Sequence, residues 1–215
     1  MNEVDAILVG SMLGDGSLTP LSLRKQESQL HLGYSKRYWS YLVWLHAKLR
    51  PLGVYAIQPK RGFEQFHLYS KPSSELGRLR NQFYPQGIKL IPSDIAQMLI
   101  RPISLAVWYM DDGSLDFREG YHANASIATY NFSEDDCHRL SGVLQDNFGL
   151  EAKVHRSTMR GKVYFRIYFP SKSMDLFMRL IEPYMQPCFS YKTLMRVASS
   201  RGNTEGANVI RNHWA

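Results

Sequence analysis

Two stretches of this 215-residue chain end in the same letters. Asp15-Gly16-Ser17-Leu18 closes an apolar run near the start, and Asp112-Gly113-Ser114-Leu115 closes another 112 − 15 = 97 residues later. The second run, Pro102 to Leu115, reads as two to three helical turns stopping at Asp111, Asp112 and Gly113. Carboxylates are poor residues for a helix C-terminus, because the dipole there is already negative. Two of them facing each other at about 4 Å would repel by roughly 4 kcal/mol at an effective dielectric of about 20. A hard divalent cation such as Mg²⁺ relieves that repulsion through carboxylate oxygens. A single Asp-Gly is an ordinary turn; the repeat makes Asp15 and Asp112 a candidate metal-binding pair, provided the fold brings them together.

The elements around them repeat as well. A first helix is expected from Val4 to Leu13, with Gly10 and Gly14 on one face where another backbone can approach closely. A strand follows at Gln29–Leu32, then a helix from Ser35 to Leu49, ended by Pro51 and Gly53. A hairpin is predicted over Val54–Gln58 and Phe63–Tyr69 around Lys60-Arg61-Gly62, then a helix from Ser73 and a loop carrying Lys89. The second half offers a strand at Ala123–Tyr130 and a helix capped by Ser133 with a stripe of Cys137, Leu140, Leu144 and Phe148. It then offers a hairpin over Glu151–Ser157 and Lys162–Phe169, a helix at Ser173–Ile181, and a loop at Pro187–Lys192. The offsets 166 − 67 = 99 and 192 − 89 = 103 match the 97 of the aspartates, so the chain reads as an internal duplication.

Alternation in the hairpins gives each one wet face and one packed face. Lys162, Tyr164, Arg166 and Tyr168 share one face in the second half, with Ser126 on the neighbouring strand. Gln65, His67 and Tyr69, with Gln29 and His31, share one in the first half. Such a β-surface fits a DNA major groove, where Arg reads guanine and Gln reads adenine. Lys60, Arg61, Arg156 and Arg160, assigned to the turns, would contact phosphates and set position. A formal net charge of +7 favours an anionic partner. The two cysteines, Cys137 and Cys188, form neither a metal-ligand spacing nor a disulfide framework. No apolar run is long enough for a membrane span, and Glu3 and Asp5 spoil a signal peptide. The expectation is a soluble intracellular protein, its compartment (bacterial or archaeal cytoplasm, or an organelle) left open.

Leu8 to Gly16 (L-V-G-S-M-L-G-D-G) and Leu105 to Gly113 (L-A-V-W-Y-M-D-D-G) resemble the paired motifs of single-chain, two-motif LAGLIDADG homing endonucleases. The segment Y-M-Q-P-C-F-S-Y-K, ending at Lys192, is similar to the terminal lysine segment of intron-encoded members. The resemblance implies an α+β fold of two pseudo-symmetric αββαββα halves, 1–100 and 101–196, with a tail at 197–215. Their antiparallel sheets would bind DNA, with the motif helices packed at the central interface. Val107 stands where the first motif has Gly10, which predicts a looser helix contact on that side. The resemblance also implies Mg²⁺ (or Mn²⁺) held by Asp15 and Asp112, with Lys89 and Lys192 over the scissile phosphates. It gives Asp111 a backbone-carbonyl role. The activity implied is double-strand cleavage of a long DNA site by a monomer, leaving short 3′ overhangs.

Tyr109-Met110-Asp111-Asp112 also spells the reverse-transcriptase signature, but that signature sits on a β-hairpin, whereas Ile103 to Tyr109 reads as helix. An intron maturase, with intron RNA as partner, and a non-cleaving DNA-binding regulator are the other readings of the same scaffold. Both acids and both lysines together favour the nuclease.

Overall fold

The computed structural model describes residues 1–22, 24–119 and 121–194; the predicted tail at 197–215 lies outside them. Helix α1 (Glu3–Leu13) starts at a capping box, Asn2 accepting from the Asp5 N–H while the Asp5 carboxylate accepts from that of Asn2. Ala6 through Leu13 are all buried, so α1 has no polar face beyond its first turn. Its counterpart α5 (Pro102–Asp112) begins with proline at the first position and buries Ile103 through Met110. A helix apolar all round must sit inside the protein, and these two pack against each other.

Gly10 sets how closely they approach. A Cβ there would lie 2.5 Å from the Ser104 carbonyl oxygen and 2.8 Å from the Val107 Cβ. Val107 is fully buried and fills the hollow that Gly10 leaves. The looser contact predicted from Val107 is therefore not what forms; a large residue opposite a small one closes the seam.

Each half then builds a four-stranded antiparallel sheet. In the first, β1 (Ser17–Leu18), β2 (Leu30–Ser35), β4 (Gln65–Tyr69) and β3 (Gln58–Pro59) lie in the order β1-β2-β4-β3. In the second, β5 (Gly113–Arg118), β6 (His122–Ala128), β8 (Lys162–Phe169) and β7 (Lys153–Met159) repeat it as β5-β6-β8-β7. The register aligns them further: Leu32 pairs with Leu68 as Ile127 pairs with Ile167. Helices α2 (Trp39–Lys48), α3 (Ser74–Phe83) and the short α4 (Ile95–Met98) complete the first half, and α6 (Glu134–Phe148) and α7 (Met174–Ile181) the second. The fold is α+β, two copies of one topology around a helix pair.

Three expectations change. The first strand of the 54–69 hairpin is only Gln58–Pro59, and Pro59 brings no N–H to the ladder; upstream, Tyr55 N–H still reaches the Tyr69 carbonyl at 2.8 Å. The Pro187–Lys192 segment is a run of 3₁₀-helix rather than a loop. Arg156 is not at a turn: it pairs with Phe165 inside the ladder, one residue out of phase with Arg166, and so projects from the other face. Arg160 is at the turn, where it and Gly161 take φ of 50° and 75°, as a two-residue hairpin requires.

Candidate active site and nucleic-acid interface

The two helices end side by side; α5 runs directly into β5, and α1 reaches β1 through Gly14, Asp15 and Gly16. Gly14 and Gly16 donate back to the carbonyls of Gly10 and Ser11 at 3.0 and 2.8 Å, leaving Asp15 between them at the exit of α1. Asp112 is the last residue of α5, and Gly113 opens β5. No described residue donates a hydrogen bond to either carboxylate side chain. Burial and then the neighbouring Asp15 charge push Asp112 up to about 7, against the pull of Lys89 and Lys192. Lost solvation likewise raises Asp15, with the same two lysines opposing.

The lysines are not solvated surface amines. Lys89 donates to the carbonyls of Gly14 and Gly16 at 2.8 and 3.0 Å. Lys192, 6% exposed, donates to Met110 at 2.6 Å and Tyr109 at 3.3 Å, and lies 3.5 Å from the Asp111 carbonyl. Each thus caps the helix of its own half, where a cation complements the dipole. Burial lowers both; Lys192 falls to about 8, held up by Asp111, Asp112 and Asp15.

Asp111, given only a backbone-carbonyl role by the resemblance, uses its side chain. Its carboxylate accepts from Tyr34 and Tyr41 hydroxyls at 2.9 and 3.2 Å and from the Asp15 N–H at 3.1 Å. Burial raises its carboxyl, and the hydrogen bonds from Asp15 and Tyr34 offset part of that rise. At the position 97 residues earlier stands Gly14, where a Cβ would lie 2.5 Å from the Asp111 carboxylate. That contrast of aspartate with glycine at matched motif positions was the available signal.

The donor set suits a hard divalent cation: two carboxylates with no hydrogen-bond donor among the described residues, beside helix-terminal carbonyl oxygens. Among the described residues there is no cluster of three or more His, Cys, Asp or Glu placed to hold a metal. An ion here would therefore draw on Asp15 and Asp112, backbone oxygens and a substrate phosphate, as Mg²⁺ commonly does.

On the first sheet, Ser17, His31, His67 and Tyr69 gather on one face. His31 Nε2 lies 2.6 Å from His67 Nδ1 and its ring stacks on Tyr69 at 4.6 Å. Burial lowers both histidines, so neither favours the charged form. On the second sheet the corresponding positions are Ser114, Ser126, Arg166 and Tyr168, with His155 stacked on Tyr168 at 4.3 Å. Ser17, Ser114 and His155 were missed, although both serines belong to the repeated D-G-S-L. Tyr164 continues the same face, its ring 5.3 Å from Tyr130, and Lys162 ends it, exposed. Gln65 lies on the first face, 3.5 Å from the Lys60 ammonium, and Arg61 is exposed at the turn. The Gln29 side-chain amide donates to the Ser70 carbonyl at 2.7 Å and is engaged within the fold.

A family model described as the LAGLIDADG DNA endonuclease family matches residues 5–177. The chain belongs to that family. The homing endonuclease I-WcaI, solved bound to its DNA recognition sequence, is similar in fold, with a TM-score of 0.72 at 21% identity over 89% of this chain and 85% of that one. The cytochrome b mRNA maturase bI2 of Debaryomyces hansenii is 25% identical over 88% of this chain and 73% of its own length. Protein RecA of Mycobacterium gastri is 30% identical over 88% of this chain, but the match spans only 46% of that protein.

Proposed function

We propose that this family member is a site-specific DNA endonuclease that uses Mg²⁺ or Mn²⁺ to cut both strands of a long site, leaving short 3′ overhangs. The observation that carries the reading is the pair of carboxylates, Asp15 and Asp112, at the ends of two packed helices with no hydrogen-bond donor to either among the described residues. A divalent ion bound there would supply phosphate neutralisation and an activated water. The protein's own residues do the rest. Asp15 and Asp112 hold the ion, Lys89 and Lys192 present positive charge beside them, and the polar faces of the two sheets receive the duplex. One chain supplies both acids, both lysines and both sheets, so a monomer of two halves, 1–100 and 101–196, is the active species.

The test is incubation with a randomised duplex library in Mg²⁺, Ca²⁺ or EDTA, followed by sequencing of new ends. Cuts at one long site in Mg²⁺, with Ca²⁺ giving retention only, are expected. Undiminished cutting in excess EDTA overturns the metal requirement. The match to an mRNA maturase favours a second reading, RNA binding on the same sheets. Retention of intron RNA with no DNA cleavage in any metal supports that reading instead.

A further inference from the structure

Each candidate lysine approaches the helix end of its own half, yet the segment carrying it is anchored on the other half. Beyond Lys89, the chain is gripped by α6 of the second half. Arg139 donates to the Ile91 carbonyl at 2.7 Å, and Asn147 donates to the carbonyls of Ala96 and Leu99, both at 2.8 Å. The 3₁₀ segment ending in Lys192 is gripped by the start of α2 in the first half. Phe189, 2% exposed, stacks on Tyr38 at 4.8 Å and meets Tyr41 edge-on at 5.0 Å. The Tyr38 hydroxyl lies 3.0 Å from that of Tyr191, the residue next to Lys192.

The chemistry of the two grips differs, guanidinium and amide onto carbonyls on one side and aromatic stacking on the other, but the exchange is the same. Helices α2 and α6 occupy matching places in the duplicated topology. Arg139 is itself steadied by Asp136 at 2.7 Å, one turn back. Neither Arg139 nor Tyr38 lies on the polar sheet faces, so neither would be read as part of the interface.

We propose that the halves place each other's lysines: Arg139 on α6 is a positioning residue for Lys89, and Tyr38 before α2 is a positioning residue for Lys192. The inference rests on the endonuclease reading above, with one lysine serving each strand. Small displacements of a catalytic group lower rate steeply, so loosening one anchor retards one strand.

The experiment follows each strand separately on a duplex carrying a different end label on each, at saturating Mg²⁺. Lys89→Met and Lys192→Met first establish which strand each lysine serves. Arg139→Met, which keeps the stem and removes the donors, should slow the Lys89 strand about tenfold and leave the other near wild type. Arg139→Lys should recover part of that loss. Tyr38→Phe keeps the stack and removes the hydroxyl, and should slow the Lys192 strand instead, by about threefold. Loss of fold alone would slow both strands together, and melting curves of each variant identify it. Equal slowing of both strands by Arg139→Met and Tyr38→Phe in folded protein overturns the proposal, as does bias toward the opposite strand. Wild-type protein that does not cut refutes the endonuclease reading. Wild-type cutting with unbiased lysine variants leaves that reading intact and refutes the placement.

Discussion

The Asp111 carboxylate accepts a hydrogen bond from the backbone N–H of Asp15 at 3.1 Å, tying the end of one central helix to the end of the other. Tyr34 and Tyr41 hold the opposite oxygen of the same carboxylate. Three donors from the first half therefore converge on one side chain of the second, beside the proposed metal ligands. Asp111→Ala orphans all three, and an unsatisfied buried donor costs about 1–3 kcal/mol. The variant should lose about that much or more in urea unfolding, while Asp111→Asn, retaining an acceptor oxygen, should lose less. An unchanged unfolding midpoint for Asp111→Ala would show the contact to be incidental.

Replacing either lysine by methionine keeps most of its volume and removes the charge. Lys89→Met and Lys192→Met should each accumulate nicked plasmid, because one strand is slowed far more than the other. Asp15→Asn and Asp112→Asn should impair both strands together, because under the proposed reading both acids hold the same ion. Supercoiled, nicked and linear forms against time separate these outcomes.

The pH behaviour follows from Asp112, whose carboxyl burial raises to about 7. A group with a raised folded-state value binds its proton more tightly folded than unfolded. Its contribution to stability is full below the ordinary carboxylate value of about 4 and is lost as pH rises through about 7. In EDTA, the thermal midpoint of the wild type relative to Asp112→Asn should fall across that window, a comparison that sets aside Asp15 and Asp111, raised in the same sense, and His31 and His67, lowered in the opposite one. Lys192, lowered to about 8, acts in the opposite sense only above that value. Under the proposed reading metal competes with the Asp112 proton, so half-saturating Mg²⁺ should decrease as pH rises through about 7. A half-saturating concentration independent of pH would remove Asp112 from the ligand set.

Arg166 pairs with His155 and Ala128 on the polar face of the second sheet, and its Nε is buried with no hydrogen-bond partner among the described residues. Arg166→Ala should cost about 1–3 kcal/mol in binding and relax preference at one base pair. Lys60, exposed at the first hairpin turn, should behave otherwise. Lys60→Ala should weaken all sequences alike and flatten the salt dependence by about one unit. Uniform loss across sequences for Arg166→Ala would move that residue to the phosphate class.

Gly10→Ala places a methyl 2.5 Å from the Ser104 carbonyl oxygen, a backbone atom that cannot rotate away. Overpacking of this kind costs about 1–3 kcal/mol, read as a lower unfolding midpoint. A midpoint at or above wild type would mean that the helices part without penalty.

The duplication, the helix pair and the acids were legible because they are periodic: matched spacing, apolar runs and Asp-Gly stops survive in one dimension. The alternating polar faces were legible for the same reason: His31, His67 and Tyr69 do share one face of the first sheet, and Arg166 and Tyr168 one face of the second. What depends on contacts between distant segments was not. Nothing local to Asp111 indicates Tyr34 and Tyr41, which lie 77 and 70 residues away. Arg156 was misplaced because a basic residue near a turn looks alike from either face, and only the register with Phe165 decides it. Gln29 has the right type and alternation for the interface, yet its amide is taken by Ser70.

The two sheets share a topology but not a lining. Ser17 and Tyr69 have the same residue types at Ser114 and Tyr168, whereas His31 faces across the pseudo-dyad to Ser126 and His67 to Arg166. A duplex lying along both sheets therefore meets like chemistry at some steps from the centre and unlike chemistry at others. Under the proposed reading the preferred target is not a palindrome, and reversing it end for end presents the wrong half to each sheet.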